Sequence, residues 1–344
     1  MTEYQNLITT HNGFEEFVLF PEDHSDFHKL MSLYSQVVLD LSDKDFDKLL
    51  DEDDSALSIF ILECPHCPSP IAAKNLFDEI DNDKSRIVDY SKDIFILKYS
   101  DDECKTITND YGVYVTSDTK IEYPDIYNLK VKWNFEKGDI HYNKKDDYDY
   151  IGWNNLLNGV DLKPINSIII IDDYIFQNSH TVNGDIKYWG EENLLHLLDA
   201  VLPQNLLVDF HVLIVTQNQN NKTINWYNDF VTRFEQDINA LRPYNISTGV
   251  LIHNSEDFHQ RCLITNYVFG ESNWGFAAFK KQTAWKKNNL NLSGNYLTIN
   301  SIGDIDAKLV NNYTLNIKDH ISTNTKLGDL QTNMNVGLVN NRLL

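Results

Sequence analysis

The C-terminal half of the chain is a series of short apolar runs separated by amphipathic segments. Four runs rich in β-branched residues, without polar–apolar alternation, are typical of strands buried on both faces. These runs are 165–176, 209–217, 246–254 and 261–269. Between them, 191–202 has leucines at helical spacing, and 223–241 has one apolar stripe of that spacing. The order β-α-β-α-β-β predicts an α/β fold with a mixed, largely parallel sheet and flanking helices.

The N-terminal half shows weaker patterns. Apolar residues at helical spacing after Ser42, a residue suited to the N-cap, predict a helix over 41–54. The runs 56–63 and 94–100 predict strands, and 69–80 predicts a helix between them. We therefore expect a smaller α+β domain in this half.

A polar, charged stretch at 136–150 is the clearest break in composition. We place a boundary there or in the segment up to Pro164. The predicted parts are an N-terminal α+β domain (1–150), an α/β domain (165–300) and a C-terminal tail that packs on it (301–344). The tail is rich in Asn and Thr, and we expect it to form small strands.

The overall composition limits the partners of the chain. Its 29 Lys and Arg against 51 Asp and Glu give a net charge of −22, which opposes broad binding to nucleic acid but leaves room for a local phosphate site. No apolar run reaches membrane-spanning length, and the first residues lack the basic and apolar regions of a signal peptide. We predict a cytoplasmic protein that does not enter a membrane. Its heavy use of Asn, Asp, Ile, Lys and Tyr indicates an AT-rich bacterial genome.

Cys64 and Cys67 form a Cys-x-x-Cys motif between a predicted strand and a predicted helix. That is the setting of the thioredoxin active site, where a helix N-terminus stabilises the thiolate. Three prolines lie in or next to the turn, and we favour a structural role for the two cysteines over redox activity. A zinc site needs two more ligands, for which Cys104, His66 and His141 are the candidates, but no second Cys-x-x-Cys occurs. We therefore predict no metal and no cofactor.

The segment DFHQRCLITNY, residues 257–267, carries the strongest candidate for chemistry. His259, Arg261 and Asn266 occupy the three defined places of the pattern HxKxxxxD, with Arg for Lys and Asn for Asp. This resembles the motif of the phospholipase-D-like superfamily, and the following YVFGESNWGFAAF resembles the Gly- and Ser-rich segment of that family. The β-α-β-α-β order also matches its half-domain, so the resemblance covers roughly residues 165–285.

The resemblance implies cleavage of phosphodiesters. In that family one histidine attacks phosphorus, a second protonates the leaving oxygen, and a flanking cation stabilises the phosphoryl charge. By this resemblance His259 is the nucleophile and Arg261 the cation, whereas Asn266 does not supply the family's carboxylate. The chain has a single such motif, so the second imidazole must come from a homodimer, or a different acid must act.

Asp172 and Asp173 follow the first predicted strand of the C-terminal half. In an open α/β sheet that end of the strand faces the ligand crevice, so one of the two aspartates is a candidate to orient His259. The alternative is a pair of capping aspartates. We predict that His259, Arg261 and one of these aspartates line a phosphate-sized anion site.

These patterns favour a cytosolic bacterial protein whose degenerate phospholipase-D-like domain binds or cleaves phosphodiesters of nucleic acids or nucleotides. Related degenerate domains with a His-x-Arg motif occur in bacterial conflict and anti-phage proteins, so the resemblance implies a role in antiviral defence. The first alternative is a noncatalytic sensor or scaffold that docks a protein partner through its acidic surface. A thioredoxin-like thiol oxidoreductase centred on Cys64 is the second.

Overall fold

A computed structural model describes most of the chain. The described residues are 5–25, 36–65, 67–123, 125–135, 153–177, 179–182, 185–218, 222–253, 258, 260–273, 275–277, 295–302, 304–327 and 334–344.

The N-terminal half is built on a sheet of five parallel strands in the order β3-β2-β1-β4-β5. The strands are β1 (Leu7–Thr9), β2 (Val37–Leu39), β3 (Ile71–Ala72), β4 (Ile94–Leu97) and β5 (Val115–Ser117). The helices between them are α1 (His11–Leu19), α2 (Asp43–Leu50), α3 (Ala56–Glu63), α4 (Lys74–Asn82) and α5 (Asp101–Tyr111), with a 3₁₀ segment at Lys84–Tyr90. Because helices alternate with parallel strands, this half is α/β, and the predicted α+β class was wrong.

The predicted strand at 56–63 was also wrong, because this run is the helix α3. Ser55 is its N-cap, and the Ser55 hydroxyl accepts a hydrogen bond from the backbone N–H of Ser58. Only one side of the helix is buried, through Ala56, Leu57 and Phe60. A run of eight mostly apolar residues does not by itself distinguish a strand from a half-buried helix.

The C-terminal half contains an eight-stranded mixed sheet in the order β15-β11-β10-β7-β12-β13-β14-β6. Its strands are β6 (Lys130–Phe135), β7 (Ser167–Ile171), β10 (Phe210–Gln217), β11 (Ile246–His253), β12 (Arg261–Thr265), β13 (Val268–Ser272), β14 (Asn295–Ser301) and β15 (Met334–Gly337). A separate two-stranded ribbon contains β8 (Ser179–Val182) and β9 (Asp185–Tyr188). The remaining helices are α6 (Trp153–Leu156), α7 (Trp189–Val201), α8 (Ile224–Asn239) and α9 (Asp304–Leu327), with a 3₁₀ turn at Asp125–Asn128.

The α/β fold class is confirmed, but the large sheet is parallel only at its centre. β7, β10 and β11 run parallel, as the crossover helices α7 and α8 require. The predicted single strand 261–269 is instead the hairpin of β12 and β13, and β12 also pairs with β7 in the antiparallel direction. Antiparallel pairing continues through β14 to β6 on that side, and β15 adds an antiparallel strand at the other edge.

Both faces of the large sheet are covered. On one face, Ile168 and Ile170 join a core with residues of α7, α8 and the N-terminal half. On the other face, Ile169 and Ile171 pack with residues of α9, including Val310 and Ile317. The expected small strands in the tail were therefore wrong for 304–327, where apolar positions at helical spacing stand among many Asn and Thr residues.

The chain enters the large sheet before the polar stretch chosen as the boundary. β6 pairs with β14, whereas residues 136–152 lie outside the described part of the chain. Within the described ranges, no helix has the length and apolar character needed to cross a membrane.

Candidate functional site

Arg261 and Asp172 meet at the carboxyl end of the central strand β7. Asp172 directly follows β7, and Arg261 begins the antiparallel neighbour β12, in which Cys262 lies opposite Ile171. The Arg261 Nε atom is 3.7 Å from the Asp172 Oδ1 atom. The structure thus brings together one predicted aspartate and the predicted arginine, at the end of the sheet where α/β proteins bind ligands.

Asp172 is almost fully buried and is held by backbone donors. Its Oδ1 atom accepts a hydrogen bond from the N–H of Tyr174 at 3.0 Å, and its Oδ2 atom accepts one from the N–H of Phe276 at 2.8 Å. Burial raises the pKa of Asp172 to about 6, although these two bonds and the charge of Arg261 oppose that rise. The carboxylate therefore serves as a fixed anchor for Arg261 and for two loops.

Arg261 is fixed by three contacts while part of it faces solvent. Besides Asp172, its Nη1 atom donates a hydrogen bond to the backbone oxygen of Asn273 at 2.9 Å. Its guanidinium carbon lies 5.1 Å from the centre of the Tyr174 ring. The side chain is still 27% exposed, so a guanidinium of defined orientation is accessible to an anion.

Gly275 allows the loop after β13 to cross this pair closely. Its φ of +98° is in the region that favours glycine, and an added Cβ atom would lie 2.6 Å from the Asp172 Oδ2 atom and 3.0 Å from the Arg261 Cδ atom. The Ser272 hydroxyl accepts a hydrogen bond from the Gly275 N–H at 3.0 Å. The Gly- and Ser-containing segment after the motif therefore covers the Asp172–Arg261 pair.

Asp173 lies on the opposite face of the sheet, where it contacts His253 beside Phe258. Its Oδ1 atom is 2.9 Å from the Nε2 atom of His253, the last residue of β11. His253 is completely buried, and its ring packs against Phe258 with centroids 4.7 Å apart. Its Nδ1 atom has no hydrogen-bond partner in the part of the chain that the structure describes.

Sequence reasoning missed His253. The only signal was its place at the carboxyl end of a strand buried on both faces, which is also the argument that selected Asp172 and Asp173. Phe258 belongs to the core beneath α9, whereas Phe276 beside Asp172 belongs to the other core. The Asp173–His253 pair is therefore separated from Arg261 by the sheet itself.

Asn266 lies at the other end of β12, roughly 16 Å along the strand from Arg261 at about 3.3 Å per residue. It is completely buried. Its Oδ1 atom accepts a hydrogen bond from the Asn166 N–H at 3.0 Å, and its Nδ2 atom donates to the backbone oxygen of Ser91 at 2.6 Å and to the Asn166 Oδ1 atom at 3.1 Å. Asn266 is thus not brought together with Arg261 and instead ties the large sheet to the N-terminal half.

His259, the predicted nucleophile, lies outside the described residues. Its neighbours Phe258 and Gln260 are described, and Gln260 accepts a hydrogen bond from the Tyr313 hydroxyl at 2.9 Å. The role assigned to His259 therefore stays a prediction.

Cys64 and Cys67 lie after a helix rather than before one. Cys64 is the C-cap of α3, where the negative end of the helix dipole disfavours a thiolate. Partial burial raises the pKa of both thiols, to about 11 for Cys67. Across the described ranges, which omit His66 and His141, no group of three or more His, Cys, Asp or Glu side chains is arranged to hold a metal ion.

The chain matches no protein-family model, and a search of curated proteins finds no significant match. The resemblance to the phospholipase-D-like superfamily therefore stays a prediction that rests on the residues quoted for it.

Proposed function

We propose that this protein binds a phosphodiester at Arg261 and that His259 is the residue that attacks phosphorus. The observation that carries the proposal is the oriented, partly exposed guanidinium of Arg261 at the carboxyl end of β7. A planar guanidinium held in this way matches two oxygens of a phosphate. The role in bacterial antiviral defence rests on the sequence resemblance alone and forms part of the same proposal.

Asp172 acts through Arg261 in this proposal. It accepts two backbone hydrogen bonds and lies 3.7 Å from the Arg261 Nε atom, so it fixes the guanidinium plane before the ligand arrives. Such preorganisation lowers the cost of ordering the side chain on binding. It also leaves Asp172 without access to the ligand, because the carboxylate is only 3% exposed.

Cleavage needs an acid for the leaving oxygen in addition to a nucleophile. Among the described residues, the His253 imidazole is near this end of the sheet but lies on the other face, completely buried. We therefore propose that a second copy of His259 in a homodimer supplies the acid. Concentration-dependent activity that follows dimer formation is the expected behaviour.

The test combines activity with stability, using hydrolysis of bis(p-nitrophenyl) phosphate and the thermal midpoint. His259→Ala should abolish hydrolysis and leave the midpoint unchanged. Arg261→Lys should keep part of the rate, because lysine keeps the charge and is the residue of the family pattern, whereas Arg261→Ala should lose it. If the wild type shows no hydrolysis and His259→Ala lowers the midpoint, the residue is structural and cleavage is not the function.

A noncatalytic sensor or scaffold is the second candidate, and one observation favours it. The acidic helix α2 has no fully buried residue, and its Leu50 is 41% exposed, whereas Phe46 and Leu49 pack partly against the core. An exposed helix with apolar and acidic positions suits the docking of a protein partner. If a partner binds this helix, replacing the exposed Leu50 (Leu50→Ala) should reduce binding while leaving the affinity for a phosphodiester unchanged.

A further inference from the structure

Tyr174 places an exposed aromatic ring beside the anion-binding guanidinium. The ring is 42% exposed, although tyrosine normally buries much of its surface. Its backbone is fixed on both sides, since the Tyr174 N–H donates to Asp172 and the Tyr174 oxygen accepts from the Gln177 N–H at 2.9 Å. The Arg261 guanidinium lies against the ring, 5.1 Å from its centre.

An exposed ring next to an arginine can bind a nucleotide, with the base stacked on the ring and the phosphate held by the arginine. Proteins bind single-stranded nucleotides by stacking bases on aromatic rings while cations hold the backbone. A lipid headgroup or a sugar phosphate offers no flat π-face to such a ring. The neighbouring positions of Tyr174 and Arg261 therefore select for a ligand that contains a base.

The charge of the protein limits the length of this ligand. Binding a long polynucleotide requires many Lys and Arg side chains to neutralise phosphates, whereas the chain carries a net charge of −22. A single arginine can neutralise one or two phosphates, but each further phosphate is repelled by the negative charge of the protein. The balance favours a nucleotide or dinucleotide over a polymer.

We infer that Tyr174 is a specificity-determining residue that stacks a nucleobase, and that the ligand is a short, base-containing phosphodiester. The inference rests on the proposed function, because it assigns the phosphate of that ligand to Arg261. It adds a second recognition element, which acts on the base rather than on the phosphate.

The test compares two probes, thymidylyl-(3′→5′)-thymidine and the same phosphodiester without bases, by calorimetric titration and proton NMR. Tyr174→Ala should weaken binding of the dinucleotide by between about five- and 150-fold, and should weaken binding of the base-free probe much less. Tyr174→Phe should keep the affinity, because stacking needs the ring and not the hydroxyl. Wild-type protein should shift the base protons upfield, and Tyr174→Ala should remove that shift.

Tyr296→Ala is the matched control. Its ring also lies near a cation, the Lys132 ammonium at 5.4 Å, but its hydroxyl donates to Glu271 on the other face of the sheet. This variant should bind both probes like the wild type.

Three outcomes would overturn the inference. If Tyr174→Ala reduces the affinity for both probes equally, the ring only positions Arg261. Unchanged dinucleotide affinity in Tyr174→Ala, together with a loss in Arg261→Ala, would remove the base-stacking role and leave phosphodiester binding standing. Absence of binding of either probe to the wild type would overturn the proposed function as well.

Discussion

Replacing Asn266 by aspartate separates the structural role of this residue from the role that the family pattern gives it. The pattern HxKxxxxD has a carboxylate at this place, so a catalytic Asn266 should tolerate Asn266→Asp and gain activity from it. The contacts of the residue lead to the opposite expectation. Its Nδ2 atom donates to the backbone oxygen of Ser91 and to the Asn166 Oδ1 atom, and a carboxylate has no hydrogen to donate to either.

The size of the effect follows from these contacts. The substitution removes the Nδ2 donor from the Ser91 oxygen and the Asn166 Oδ1 atom, and from a longer contact of 3.4 Å with the Gly112 oxygen. Each buried acceptor left unpaired costs about 1–3 kcal/mol. The substitution also puts a carboxylate within hydrogen-bond distance of oxygen atoms at a completely buried position. We expect Asn266→Asp to lower the free energy of unfolding by about 3–5 kcal/mol at pH 7.5. The loss should shrink at low pH, where the new carboxyl group is protonated and can donate again.

Urea titration followed by far-ultraviolet circular dichroism measures this loss. Asn245→Asp is the control, because the Asn245 side chain is exposed and donates to the Ser247 hydroxyl at 3.1 Å. It should change the free energy of unfolding by less than about 0.5 kcal/mol. If Asn266→Asp is as stable as the wild type and hydrolyses a phosphodiester faster, Asn266 belongs to the catalytic site and the structural assignment fails.

Three further predictions concern groups around the site and the cysteine pair. Burial raises the pKa of Asp172 from 3.8 in the unfolded chain to about 6 in the folded protein. The stability that its protonated form contributes is therefore complete below pH 3.8 and is lost as the pH rises through about 6. Urea titrations should therefore show Asp172→Asn gaining up to about 3 kcal/mol relative to the wild type between pH 4 and pH 7, and a constant difference would refute the burial argument. Gly275→Ala should lower the free energy of unfolding by about 1–3 kcal/mol and weaken phosphodiester binding, because the added Cβ atom would displace Asp172 and Arg261. Unchanged affinity would show that the loop does not shape the site. Iodoacetamide should alkylate Cys64 and Cys67 slowly at pH 7 and faster at higher pH, since the pKa of both thiols is raised, and rapid labelling at neutral pH would restore the redox alternative.

The sequence patterns were most informative where burial is greatest. The uninterrupted runs at 165–176, 209–217 and 246–254 contain β7, β10 and β11, and the helices predicted at 191–202 and 223–241 correspond to α7 and α8. A strand buried on both faces permits few residue types, so composition alone reveals it. The run at 56–63 failed because a helix with one buried side also accepts consecutive apolar residues.

Residue spacing was least informative about which end and which face of the sheet a side chain occupies. β12 runs from Arg261 to Thr265, so Asn266 lies at the turn into β13, at the end of the sheet away from Arg261. Asp172 and Asp173 are adjacent in sequence, yet one anchors Arg261 and the other contacts His253 beneath α9. These outcomes depend on strand order and pairing direction, which a local pattern does not contain.

The affinity of Arg261 for a phosphodiester is the most direct test of the proposed function. Calorimetric titration of thymidylyl-(3′→5′)-thymidine at low salt should give saturable binding to the wild type. Arg261→Ala should weaken it at least about tenfold, as expected for the loss of a charge-assisted hydrogen bond. Arg86→Ala, which removes an exposed arginine paired with Asp89 in the N-terminal half, should bind like the wild type. Equal affinity of the wild type and Arg261→Ala, or no saturable binding to either, would contradict the proposal that Arg261 holds the phosphate.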